Sequence, residues 1–283
     1  TAVHGAIDAY IASTARISLL DIVGAPAWVP RPGRLLSGPA MRSMKAMADQ
    51  AITERRAAGH AGVPDLLDLL LDGEDPETGR RMTTAELRDN LLTFIVAGHE
   101  TTALTLAWAL YLAAFDQGVQ DRARAEARGV LGDRAATVAD LPALPYIRQI
   151  VDEALRLYPP AAFLSRTARA PDTLCGREVR PGDTVMLPIY ALHRNHLLWP
   201  DPHRFDPDRF ADPKAVDRFA YLPFGGGPRI CIGASFALQE AVIVLATLLA
   251  RLRFTPVPGR EPQPVLILTL RPEGGVWLNV AEA

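Results

Sequence analysis

Along residues 5–20 apolar side chains recur at mixed helical spacing, and a proline-rich connector, Gly24 to Pro32, breaks the pattern. Residues 37–56 read as a further helix closed by Gly59, and Leu66 to Leu71 as a short amphipathic piece before a polar turn, Gly73 to Arg81. Thr83 and Glu86 then stand at capping-box spacing, with helix-compatible sequence running on to about Phe115. At about 1.5 Å per residue this helix is roughly 45–50 Å long. Its middle is apolar on nearly every face, which predicts a central helix. Further helices are expected over 118–130 and over 144–157, the latter stopping ahead of Pro159-Pro160. Residues 163–190 break into short β-like pieces with turns at Cys175-Gly176 and Pro181-Gly182, and 195–229 is coil rich in Pro, Asp and Phe. A last helix is expected over 234–252, followed by a hairpin-like segment around Gly274-Gly275. No repeat or linker divides the pattern, so residues 1–283 read as one mainly α domain with a minor β part.

Composition narrows the possible functions. With 283 residues, 49% of them hydrophobic, the chain can bury a large core. Lys+Arg 30 against Asp+Glu 32 gives a net charge of −2, so no global field draws the protein to nucleic acid or an anionic membrane. No uninterrupted apolar run reaches the ~18 residues of a membrane span, and no signal peptide opens the chain. It begins at Thr1 rather than Met, which leads us to expect an upstream segment outside this sequence. Cys175 and Cys231 are too few for a disulfide scaffold, and a reducing cytoplasm fits them best.

Cys231 lies in FGGGPRICIG, residues 224–233. A thiol becomes a good ligand as thiolate, which backbone N–H donors and a helix N-terminus stabilise; glycines let the chain wrap closely enough to supply them. One thiolate cannot close a four-ligand zinc site, yet it can be the axial ligand of a haem iron, whose porphyrin supplies four donors. A lone cysteine is otherwise most often an inert small core residue. AGHETT, residues 97–102, sets Gly98 and the charged Glu100 inside the long helix, a local conflict of the kind that marks functional sites; a gap-filling glycine is the plainer alternative. Glu153 and Arg156 in EALR share one helix face, which in isolation reads as a surface pair.

Together these segments resemble the cytochrome P450 family. Phe224, Gly225, Gly227, Arg229, Cys231 and Gly233 meet every fixed position of its haem-binding loop, Phe-Gly-x-Gly-x-Arg-x-Cys-x-Gly. The resemblance implies a helical fold around a long central helix, with haem b held between that helix and the cysteine loop and Cys231 as iron ligand. AGHETT is similar to the family's oxygen-activation segment: Ala97 and Gly98 leave room above the iron, Thr101 hydrogen-bonds the oxygen, and Glu100 belongs to the proton relay. EALR is similar to the Glu-x-x-Arg helix, completed by Arg209 of PHRFDPDRF into a buried triad, Glu153, Arg156 and Arg209. Arg229 and Arg166 are the propionate partners, with Arg169 competing for the place of Arg166.

By the same resemblance the substrate pocket draws on Phe94, Ala97, Ala161, Ala162, Phe163, Leu164 and Thr269, or these side chains simply pack the core. Chiefly apolar and small, they imply a hydrophobic organic substrate. The implied activity is a haem-thiolate monooxygenase that hydroxylates or epoxidises such a molecule. Its electrons come from NAD(P)H through a separate redox partner of the ferredoxin and ferredoxin reductase type. A peroxide-dependent peroxygenase, and a non-catalytic haem-binding remnant or sensor, are the alternatives. The family has a further helical region ahead of these motifs, so the chain is expected to be a partial domain lacking the substrate-roof loop.

Overall fold

The computed structural model describes residues 38–59 and 62–283; the helix expected over 5–20 and the connector at Gly24 to Pro32 lie outside them. It divides into two compact units, one ending at Glu100 and one running from Thr101 to Ala283.

In the first unit, α1 (Gly38–Ala58) buries Met44, Ala48 and Ile52 at four-residue spacing, one helical stripe. It stops at Gly59, whose φ of +67° reverses the chain while its N–H donates to the Arg55 carbonyl at 2.8 Å. The short α2 (Leu66–Asp72) is capped by Asp65, which accepts from the amides of Leu67 and Asp68. Arg55 of α1 forks onto Asp65 and Asp68 at 2.7–3.0 Å, and that bonding holds the Asp65 carboxyl down at about 2. α3 (Thr84–Phe115) starts as its spacing predicts: Thr83 N–H donates to Glu86 Oε2 at 2.8 Å and Glu86 N–H to Thr83 Oγ1 at 3.3 Å. Its 32 residues run unbroken through Gly98.

The second unit takes the rest of α3 with α4 (Gln117–Leu131), α5 (Pro145–Leu157), the single turn α6 (Ile189–Leu192) and α7 (Ala234–Arg251). Its core forms where Ala123, Ala127 and Leu131 of α4 and Ile147, Ile150 and Ala154 of α5 meet Val242, Leu245 and Leu249 of α7. Each set follows the three- and four-residue spacing of one helix face. α5 opens on a proline with no side-chain cap of its own. Glu126 of α4 supplies one instead, accepting from the amides of Tyr146 and Ile147 at 2.9 Å each.

Among the described residues α7 alone is long and apolar enough to pass for a membrane span, with mean hydropathy 1.5 over 18 residues, and a third of it is buried in the unit.

The β part is four antiparallel pairs: β1 (Leu164–Thr167) with β4 (Thr184–Leu187), β2 (Asp172–Leu174) with β3 (Arg177–Val179), β5 (Leu252–Pro256) with β8 (Leu278–Glu282), and β6 (Pro264–Leu266) with β7 (Leu270–Pro272). The β2–β3 turn falls at Cys175-Gly176, both at positive φ, as a two-residue hairpin loop requires. The hairpin expected around Gly274-Gly275 is different. Those glycines join β7 to β8, but β7 pairs back to β6 and β8 returns to the strand leaving α7, so the turn connects two pairs.

Candidate functional site

The cysteine loop is shaped by its glycines. Gly225 and Gly227 take φ of +71° and +69°, a region side chains rarely enter, and a Cβ on Gly225 would stand 3.2 Å from Leu164 Cδ1. The Gly225 amide donates to Leu222 at 3.0 Å, a turn of 3-10 helix covers Gly227–Arg229, and the Cys231 amide closes the loop onto the Phe224 carbonyl at 2.9 Å. Cys231 therefore emerges just ahead of Gly233, the N-cap of α7. The thiol is exposed, and its neighbours Ile230, Ile232 and Phe236 are 58%, 84% and 72% exposed.

No group of three or more His, Cys, Asp or Glu side chains gathers as a metal cage among the described residues. A single exposed thiol ringed by apolar side chains fits a flat apolar macrocycle that brings its own equatorial donors, and does not fit a closed protein cage. Arg229 lies in the same loop and is exposed; Arg166, on β1, is also exposed, its guanidinium donating to the Ser165 carbonyl at 2.8 Å.

Behind the loop the structure brings Glu153, Arg156 and Arg209 together. Arg156 uses all five of its N–H donors: Nε and Nη2 fork onto Glu153 at 2.6 and 2.7 Å, Nη1 reaches the carbonyls of His193 and Pro202 at 2.8 Å each, and Nη2 also reaches that of Arg204 at 3.1 Å. Glu153 accepts in addition from the Asp206 amide at 3.0 Å. Both side chains are fully buried, and such a charge pair is tolerable inside a protein only when every polar atom is satisfied. Arg209 is the looser member: its Nε stands 3.4 Å from Glu153 Oε1, an ion pair rather than a well-formed hydrogen bond, while Nη2 donates to the Asp201 carbonyl. EALR is thus an interior clamp on the coil over 193–206 rather than a surface pair.

Within AGHETT, expected to be the oxygen-activation segment, Ala97, Gly98 and His99 are exposed, Glu100 and Thr101 half-buried, and a Cβ on Gly98 would meet nothing within 4 Å. The Thr101 carbonyl accepts the Thr105 hydroxyl at 2.9 Å. Of the residues expected to line a substrate pocket, Phe94 belongs to the first unit, as do Ala97, Gly98 and Glu100. In the second, Ala162 and Thr269 are buried and Ala161, Phe163 and Leu164 half-buried. Two backbone bonds pin this stretch: Leu270 N–H to the Pro160 carbonyl and Tyr190 N–H to the Ala162 carbonyl, each 2.9 Å. Trp108 of α3 reaches Leu270 through its indole N–H and stacks on Tyr158 with ring centroids 3.9 Å apart.

Sequence reasoning passed over His193, Asp152 and Tyr221. His193 is wholly buried, and burial, together with the charges of Arg156 and Arg194, pushes its imidazole down to about 4. The Tyr221 hydroxyl donates to Asp152, and burial raises both groups above their usual values. None of the three stands in a recognisable motif; only the position of His193, between the Glu-x-x-Arg helix and the loop, could have drawn attention.

A family model described as Cytochrome P450 matches residues 4–279. The chain is similar to a cyclooctat-9-en-7-ol 5-monooxygenase of Streptomyces melanosporofaciens, 42% identical over 233 residues that cover 82% of this chain and 50% of that protein. It is likewise similar to a cyclooctatin synthase of the same organism, 38% identical over 257 residues, covering 89% and 56%. A taurochenodeoxycholic 6 alpha-hydroxylase of Sus scrofa is 39% identical over 218 residues, covering 76% and 43%. The chain spans about half the length of the curated relatives it matches.

Proposed function

Because the chain belongs to the cytochrome P450 family, we propose that it forms the haem-thiolate part of one P450 domain, in a monooxygenase that oxidises a hydrophobic organic substrate. The observation that carries this reading is the glycine-shaped loop, which presents one exposed thiol at the N-terminus of α7 within an apolar rim. Bound through Cys231, haem b would supply the iron and the dioxygen chemistry.

The chain's own residues do the rest. Cys231 Sγ, as thiolate, would hold the iron, with the dipole of α7 steadying its charge. Arg229 and Arg166 supply cations for the two propionates. With haem bound, the Glu100 carboxylate would exchange protons with solvent and the Thr101 hydroxyl would hold a proton for the reaction, while Ala97 and Gly98 keep that part of α3 free of side-chain bulk. Glu153, Arg156 and Arg209 fix the scaffold behind the loop. Ala161, Ala162, Phe163, Leu164 and Thr269 offer the substrate a largely apolar surface. Relatives named as a monooxygenase and a hydroxylase support C–H oxidation as the reaction. Electrons would come from NAD(P)H through a ferredoxin-type donor, and two free cysteines accord with a reducing cytoplasm.

The test is spectroscopic. Haem is added, the protein reduced and exposed to carbon monoxide, and its absorption recorded beside Cys231→Ser. A red-shifted, thiolate-type Soret band that disappears in the variant is the expected result. An unshifted band in both would overturn the assignment of Cys231.

A further inference from the structure

His193 follows the single turn α6 and lies between two parts of the site that are distant in sequence. Its carbonyl accepts Arg156 Nη1 at 2.8 Å, and its ring Nδ1 lies 3.2 Å from the Arg156 carbonyl at the end of α5. Its Nε2 lies 2.9 Å from the amide nitrogen of Leu222. These partners determine the tautomer. An amide can only donate, so Nε2 must be the bare acceptor; a carbonyl can only accept, so Nδ1 carries the proton. One neutral imidazole thereby links the buried ion-pair helix to the residue whose carbonyl receives the Gly225 amide, the first turn of the cysteine loop. From there the loop closes through Cys231 N–H onto Phe224.

We propose that His193 is a positioning residue for the cysteine ligand, a two-ended strut that registers the loop's entry at Leu222 against the Glu153–Arg156 pair. The proposal rests on reading Cys231 as the ligand. The strut works only in the neutral form, since a proton on Nε2 would face the Leu222 N–H donor to donor. Its surroundings keep it neutral: Arg156 and Arg194 are the cations bearing on the ring, Glu153 is held by Arg156, and the Tyr221 ring beside it, centroid 5.3 Å away, turns its hydroxyl onto Asp152.

Three variants separate the two ends. His193→Gln can place an amide oxygen where Nε2 accepts, His193→Asn can place an amide donor where Nδ1 donates, and His193→Phe fills the volume and makes neither bond. Amide hydrogen exchange is followed over 222–233 and, as an internal reference, over 147–154 of α5, without haem. Exchange over 222–233 is expected to rise about tenfold in Phe and Asn and return near wild type in Gln, with the reference little changed. Equal exchange in Gln and Asn, or a rise shared equally with α5, would overturn the proposal and leave His193 as core filling. With haem, the thiolate share of the reduced carbon monoxide band should follow the same order, Gln above Asn and Phe. Lack of that band in the wild type would instead fault the reading of Cys231, and the exchange data would still decide for or against the strut.

Discussion

Arg156 shows why chemistry at this position goes beyond charge. Its planar fork meets five acceptors at once, and a lysine ammonium, with three donors on a flexible stem, would leave buried oxygens of Glu153 or the 193–206 coil without partners. Arg156→Lys should therefore be almost as damaging as Glu153→Ala, each destabilising the second unit by about 3–5 kcal/mol in urea unfolding. His193 carries the pH dependence. Its folded value of about 4 lies below the usual 6.5, so between these limits the unfolded chain binds a proton that the folded chain refuses. Stability is then fully present above about pH 6.5 and falls as pH drops towards 4, by an amount on the order of 3 kcal/mol. The difference between wild-type and His193→Gln unfolding curves at pH 7 and pH 5 isolates this contribution; parallel curves would exclude it.

Two glycines in different elements should respond to alanine with opposite signs. Gly98 sits in unbroken helix with open space where a Cβ would go, so Gly98→Ala should raise the stability of α3 by about 0.5–1 kcal/mol, seen as a higher thermal midpoint. Gly225 sits at φ +71° against Leu164, and Gly225→Ala should lower stability by about 1–2 kcal/mol, raising amide exchange across the cysteine loop. α1 and α3 were legible by local ends: Thr83 and Glu86 mark the start of α3, and Gly59 the stop of α1. Strand partners were not, since nothing in residues 270–280 records that β8 will choose β5 over the strand before the turn. The loop and the Glu-x-x-Arg helix were legible by their motifs, whereas His193 acts through two backbone groups, which carry no sequence signature at all.

For the molecule as a whole, stability in the second unit should concentrate where α4, α5 and α7 meet. Leu245, with no exposed surface, is the centre of that contact, and Leu245→Ala should lower unfolding free energy by about 2–5 kcal/mol, measured as a shift in urea midpoint. The two amides that open α5 are satisfied by Glu126 of α4, about twenty residues earlier, so α5 has no finished beginning until α4 has docked beside it. The pair should form in a single step near the rate-limiting barrier, and Glu126→Gln should slow refolding more than it hastens unfolding. The clamp of Glu153 and Arg156, borne on α5, would then be assembled early, leaving the cysteine loop to settle onto a frame already standing.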